Sequence, residues 1–117
     1  MEPDEHYVVM ASHLPLTKLS HTIRFFRAVS VVRKQLGTAS GLIGYSLRAK
    51  PLRRDYWTLS VWIDQAARRA FMRTPPHAQL MSSLKPIMGP TKFAQWEVAG
   101  TEGRPTWTTA IGRLAGG

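Results

Sequence analysis

The sequence contains no cysteine. Disulfides, thiolate metal sites and cysteine nucleophiles are therefore excluded. No apolar run approaches the ~18 residues of a membrane span, so no membrane partner is expected. The opening MEPDEHYVVM is acidic and lacks the basic n-region of a secretory signal, so a soluble cytoplasmic protein is expected. Acidic residues are scarce overall: seven Asp and Glu stand against 16 Lys and Arg, a formal net charge of +9. Such an excess suits nucleic acid, a membrane surface or an anionic ligand. The cations are spread along the chain, with one cluster in the turn-like RAKPLRR of residues 48–54. That spread argues against a nucleic-acid footprint. His6, His13, His21 and His77 show no paired metal-ligand spacing, and His-Glu-x-x-His is absent. There is no glycine-rich phosphate loop and no Ser-His-Asp signature, so no metal, flavin or nicotinamide site is expected.

What is present suits one domain of 117 residues. YVVMASHL (7–14) reads as a strand buried on both faces. Phe25, Val29, Val32 and Leu36 recur at steps of three and four, which predicts an amphipathic helix closed by Gly37. GLIGYSLRAK (41–50) and DYWTLSVWI (55–63) predict an antiparallel hairpin. Asp64 is a natural N-cap for a helix whose inward stripe is Ala67, Ala70, Phe71 and Thr74. Pro75 and Pro76 end that helix, and Pro76 can open another carrying His77, Leu80, Met81, Leu84 and Met88 on one stripe. TKFAQWEVA (91–99) is the last strand. The order βαββαβ gives an α+β, ferredoxin-like fold over residues 1–100, with a four-stranded antiparallel sheet and helices on one face. Residues 101–117 form a tail in which Trp107, Ala110, Ile111 and Leu114 make a short apolar stripe, either a docking helix or a frayed end.

Alternation divides the third strand. Tyr56, Thr58, Ser60 and Trp62 share one face; Trp57, Leu59, Val61 and Ile63 share the other. The second set is apolar and has no predicted helix over it. A second copy packed sheet to sheet would cover it, which predicts a homodimeric α+β barrel.

With this topology, the chain resembles the antibiotic biosynthesis monooxygenase family of dimeric α+β barrels, and especially its small actinobacterial members. The resemblance spans roughly residues 7–99 and rests on GLIGYSL, WTLSVWIDQAARRAF, TPPH and LKPIMGP. It implies an enzyme of the cofactor-independent monooxygenase type, acting on an aromatic or polyketide-like small molecule. Such enzymes oxidise phenols to quinones, and the residues implicated include an Asn four positions before a strand-ending Trp and a Tyr six after it. Trp62 matches the Trp; Thr58 and Arg68 stand at the other two positions. Haem-degrading relatives use a first-strand Asn, a helix Trp and an iron-ligating His. Here Ser12 or His13 and Phe71 stand near the first two, and His77 falls about one turn before the third. Haem or small-ligand binding without turnover is therefore the alternative. An RNA-recognition module shares the element order, but this chain lacks that module's glycine-aromatic-glycine third strand, and its segment from Gln65 to Met88 is too long for that fold.

His77 and Trp62 are the candidate catalytic residues. His77 sits in the first turn of its helix, where the dipole favours a neutral imidazole able to take a phenolic proton. Its plain alternative is to cap the helix or bond a backbone carbonyl; that of Trp62 is core packing. Phe25, Tyr45, Tyr56, Thr58, Phe71, Met81 and Trp96 are the candidate lining of an apolar pocket between sheet and helices.

Overall fold

The computed structural model describes residues 5–74, 77–103 and 105–116, without the side chains of His77, Ala78 and Met81. Pro75 and Pro76, expected to break the helix, lie outside the described residues. The elements are β1 (His6–His13), α1 (Thr22–Leu36), β2 (Leu42–Lys50), β3 (Asp55–Trp62), α2 (Gln65–Arg73), α3 (His77–Leu84), β4 (Lys92–Ala99) and α4 (Trp107–Gly116), with short 3-10 turns between several of them. The four strands form one antiparallel sheet in the order β2-β3-β1-β4. The chain is thus α+β and ferredoxin-like.

Local chemistry accounts for the boundaries. Asp64 caps α2, its carboxylate accepting the Ala67 amide at 2.8 Å. Gly41 precedes β2 with φ +81°, and a Cβ there would stand 2.6 Å from Ala67 Cβ and 2.9 Å from Ile63 Cγ1. Only glycine fits such a turn. Gly37 closes α1 as its C-cap, with a right-handed φ of −61° that extends the helical turn. On α2, Phe71 is buried while Ala70 and Thr74 are exposed, so the inward stripe is narrower than its spacing suggests.

Register fixes the faces. Across the sheet, Leu47, Thr58, Ser12 and Phe93 form one row, and Tyr45, Ser60, Met10 and Gln95 the next. These rows belong to the inner face, which packs against α1, α2 and α3. Two apolar clusters occupy that face. One joins Leu14, Leu16, Phe25, Ala28, Tyr56, Leu84 and Ile87. The other joins Val8, Leu36, Trp62 and Phe71.

The outer face is not bare. Tyr7, Val9, Ala11, Leu59, Val61, Trp96 and Val98 form a cluster closed by Ala110 and Leu114 of α4. Trp107 donates its indole N–H to Ser46 Oγ at 3.2 Å, and the Arg113 guanidinium lies 5.1 Å from the Trp96 ring centre. The expectation of an uncovered face is therefore corrected over much of its area: the chain's own C-terminal helix lies on it. Ile63 is also removed from the outer set. It lies past the end of β3, donates its amide to Gly41 O at 2.8 Å and remains 48% exposed beside Gly41 and Ala67.

Removing residues 101–117 should therefore expose Leu59, Val61, Trp96 and Val98 together. Fully burying each such side chain is worth roughly 1.5–3 kcal/mol, so the shortened chain should lose several kcal/mol of stability or self-associate. Denaturant titration with light scattering checks this; an unchanged midpoint and size would show that α4 contributes nothing.

Candidate active site

Between the two inner clusters the helices do not close on the sheet. A cavity of about 410 Å³ remains there. Its apolar lining comes from Phe25, Phe26, Val29 and Val32 of α1, Phe71 and Met72 of α2, and Leu80 and Leu84 of α3. On the strand side it meets Met10, Ser12, Tyr45, Leu47, Tyr56, Thr58, Ser60, Trp62 and Phe93. Ser12, Thr58 and Ser60 give this apolar chamber a hydroxyl-bearing floor.

The hydroxyls are held. Ser12, only 3% exposed, is hydrogen-bonded through Oγ to Thr58 Oγ1 across the β1–β3 pair. Ser60 Oγ accepts the Trp62 indole N–H at 2.9 Å. Trp62 is 1% exposed, so that bond satisfies a donor water cannot reach. The Phe71 ring packs on the indole, centres 5.3 Å apart. Toward the other cluster, Tyr56 meets Phe25 at 4.4 Å and Phe26 edge-on at 5.6 Å. The Tyr56 hydroxyl is buried and has no hydrogen-bond partner among the described residues.

Charge around the chamber is of one sign. Arg33 and Arg48 are the charged residues among its described lining, and no carboxylate joins them. Behind Met10, the half-buried Arg68 of α2 donates to Gln65 Oε1 at 2.9 Å and comes within 3.9 Å of Met10 Sδ. Desolvation first, and then the neighbouring Arg69, pulls the Arg68 pKa below its ordinary value. A guanidinium so lowered is still a cation at neutral pH. Among the described residues no group of three His, Asp or Glu side chains could hold a metal ion.

The structure brings together Phe25, Tyr45, Tyr56, Thr58, Trp62 and Phe71 of the sequence-derived set. It does not bring in Trp96. That residue pairs with Val9, which pairs with Val61, and all three belong to the outer cluster under α4. The indole therefore packs on the opposite side of the sheet from the chamber. His77 opens α3, but its side chain, like that of Met81, lies outside the described residues. Ser12 and Met10 were not picked out as lining residues. Alternation along β1 marks their face, but only the register against β3 reveals what they oppose.

No known protein family matches the sequence, and no curated protein does. Solved structures do match in fold. The cofactor-independent oxygenase SnoaB from Streptomyces nogalater superposes with a TM-score of 0.64 at 16% identity, covering 86% of this chain and 96% of that one. A proposed antibiotic biosynthesis monooxygenase from Caulobacter crescentus CB15 gives 0.71 at 14% identity, covering 81% and 92%. A conserved protein from Methanosarcina mazei Go1 gives 0.69 at 12%, covering 77% and 90%. At such identities the likeness is one of fold.

Two substitutions test the polar assignments. Ser60→Ala leaves the Trp62 N–H buried and unpaired, a loss of about 1–3 kcal/mol. Tyr56→Phe deletes a hydroxyl that has no partner among the described residues and should be neutral or stabilising. Urea unfolding reads both; equal midpoints for Ser60→Ala and the parent would show that the indole finds another acceptor.

Proposed function

We propose that the chain is a monooxygenase-like enzyme that oxidises a flat, electron-rich aromatic of the polyketide type without a metal or flavin. The observation that carries this reading is the apolar chamber with a hydroxyl floor and a fixed indole. Its volume, about 410 Å³, falls in the range of small-molecule sites. The fold shared with SnoaB, a cofactor-independent oxygenase, supports the same kind of chemistry.

In this reading a phenolic ligand with a reduced ring carbon lies between the helices and the sheet. Ser12 and Thr58, at the centre of the floor, offer hydroxyls to its oxygen substituents. Trp62, held by Ser60, sets the plane of the ring. His77, at the start of α3, takes the phenolic proton. The resulting anion is stabilised by a field that contains Arg33, Arg48 and Arg68 and, among the described residues, no lining carboxylate. It delivers electrons to molecular oxygen, one oxygen atom bonds to the ring carbon, and a protonated hydroperoxide forms. Loss of water from that group, with the remaining ring hydrogen, leaves a quinone carbonyl. One O₂ is consumed, one water is released, and the substrate supplies all the electrons. Thr58, where the resemblance places an Asn, offers one O–H donor and a hydroxyl acceptor in place of an amide's two N–H donors and carbonyl acceptor. A homodimer through the sheet face would use the strip near Trp57 and Ile43, beside the area that α4 covers.

Oxygen uptake with an anthrone or a hydroxylated naphthacenone, followed by quinone absorbance, tests the proposal. One quinone per O₂ is expected. His77→Ala should cut turnover by ~10²–10⁴ with ligand quenching of tryptophan fluorescence retained, whereas Trp62→Ala should chiefly weaken binding. Quenching without uptake would replace the oxygenase by a small-ligand carrier.

A further inference from the structure

The cations that are dispersed in the sequence converge in space. The strap Leu14–Lys18 runs between the start of β3 and the end of α3. Leu16 donates its amide to Arg54 O at 2.9 Å, and Thr17 donates to Ile87 O at 2.9 Å. The Arg54 guanidinium donates to Thr17 O at 2.8 Å, and that of Arg24 to Ser83 O at 2.7 Å. One pole of the molecule thus gathers the ends of β1, β2 and α3 with the starts of α1, β3 and β4. Lys18, Arg24, Lys50, Arg53, Arg54, Lys85 and Lys92 all stand exposed there. Between Glu5 and Asp64 the chain has one acidic residue, Asp55, and it is engaged by His13 at 2.9 Å.

Aliphatic side chains protrude among these cations. Leu52, at the tip of the β2–β3 turn, is 90% exposed; Ile23 of α1 is 69% and Leu19 52% exposed. None of the three lines the chamber. A ring of cations around projecting aliphatic tips matches a bilayer interface: the charges meet anionic headgroups while the tips enter the acyl boundary. Single-stranded nucleic acid would call for a succession of exposed ring faces on which bases stack; the most exposed tips here are Leu52 and Ile23, with the Phe93 ring beside them.

We infer that this pole docks on an anionic membrane surface, with Leu52 as its principal inserted residue. Such docking needs no spanning segment, so the lack of a long apolar run does not bear on it. The pole also holds Phe93, near the start of β4, which lines the chamber and is 51% exposed. Docking would therefore bring the chamber's edge close to a phase in which apolar aromatic compounds collect. The inference does not depend on the oxygenase reading, because it rests on exposure and charge alone.

The full chain should co-sediment with phosphatidylcholine vesicles containing phosphatidylglycerol, and not with phosphatidylcholine alone, at about 0.1 M salt. Lys50→Ala and Arg53→Ala should each weaken partition by roughly fivefold. Leu52→Glu should weaken it further, and Leu52→Trp should give a blue-shifted emission on vesicle addition beyond any change in the parent. The substituted residues are exposed, so unchanged melting is expected. No association with anionic vesicles overturns the inference. Association that Leu52→Ala and Leu52→Glu leave intact also overturns it, because the pole would then be a general anion-binding surface with no inserted residue.

Discussion

A hydroxyl pair divides the inner side of this fold. Ser12 and Thr58 face each other across the central strands β1 and β3, where an α+β domain would ordinarily place its largest apolar side chains. Hydroxyls at that position give the helices less to bury. The apolar packing retreats to either side, around Phe25 and Tyr56 on one hand and around Trp62 and Phe71 on the other. The space between is the chamber. On its floor the Ser12 and Thr58 hydroxyls bond to each other, and Ser60 satisfies the neighbouring indole. Selection for packing alone would favour alanine or valine at these positions. The polar floor is therefore the feature on which the proposed ligand-binding role of the chamber rests.

Trp62 links the two roles. It is almost wholly buried and belongs to a core cluster, yet it also lines the chamber. Its ring packs against Phe71 and also borders the chamber, so core packing and the shape of the chamber are coupled in one side chain. Tyr56 is the counterpart on the other side. Its ring is packed, while its buried hydroxyl lacks a partner among the described residues, an arrangement that costs free energy.

Much of this was legible from pattern. The alternation in YWTLSVW sorted Tyr56, Thr58, Ser60 and Trp62 from Trp57, Leu59 and Val61, because strand side chains alternate strictly. Asp64 announced its helix because capping is a local interaction. Trp96 was misplaced for the opposite reason. Its face depends on how β4 is registered against β1, and register is settled by contacts between segments at opposite ends of the chain, such as Val9 with Trp96. The location of α4 was hidden in the same way: its stripe allowed a docking helix or a frayed end, and named no surface for it. The basic pole is the extreme case. Lys18, Lys50 and Lys92 have nothing in common along the sequence, and only the antiparallel order of the strands brings them to one end.

The helix on the outer face also changes how the fold depends on amount. A sheet face covered by a second copy is protected only when enough protein is present for the copies to meet. A helix tethered through the few residues after β4 is always at hand, at an effective concentration set by its short linker. For the part of the sheet under Ala110 and Leu114, protection from water is thus built into each molecule and persists under dilution.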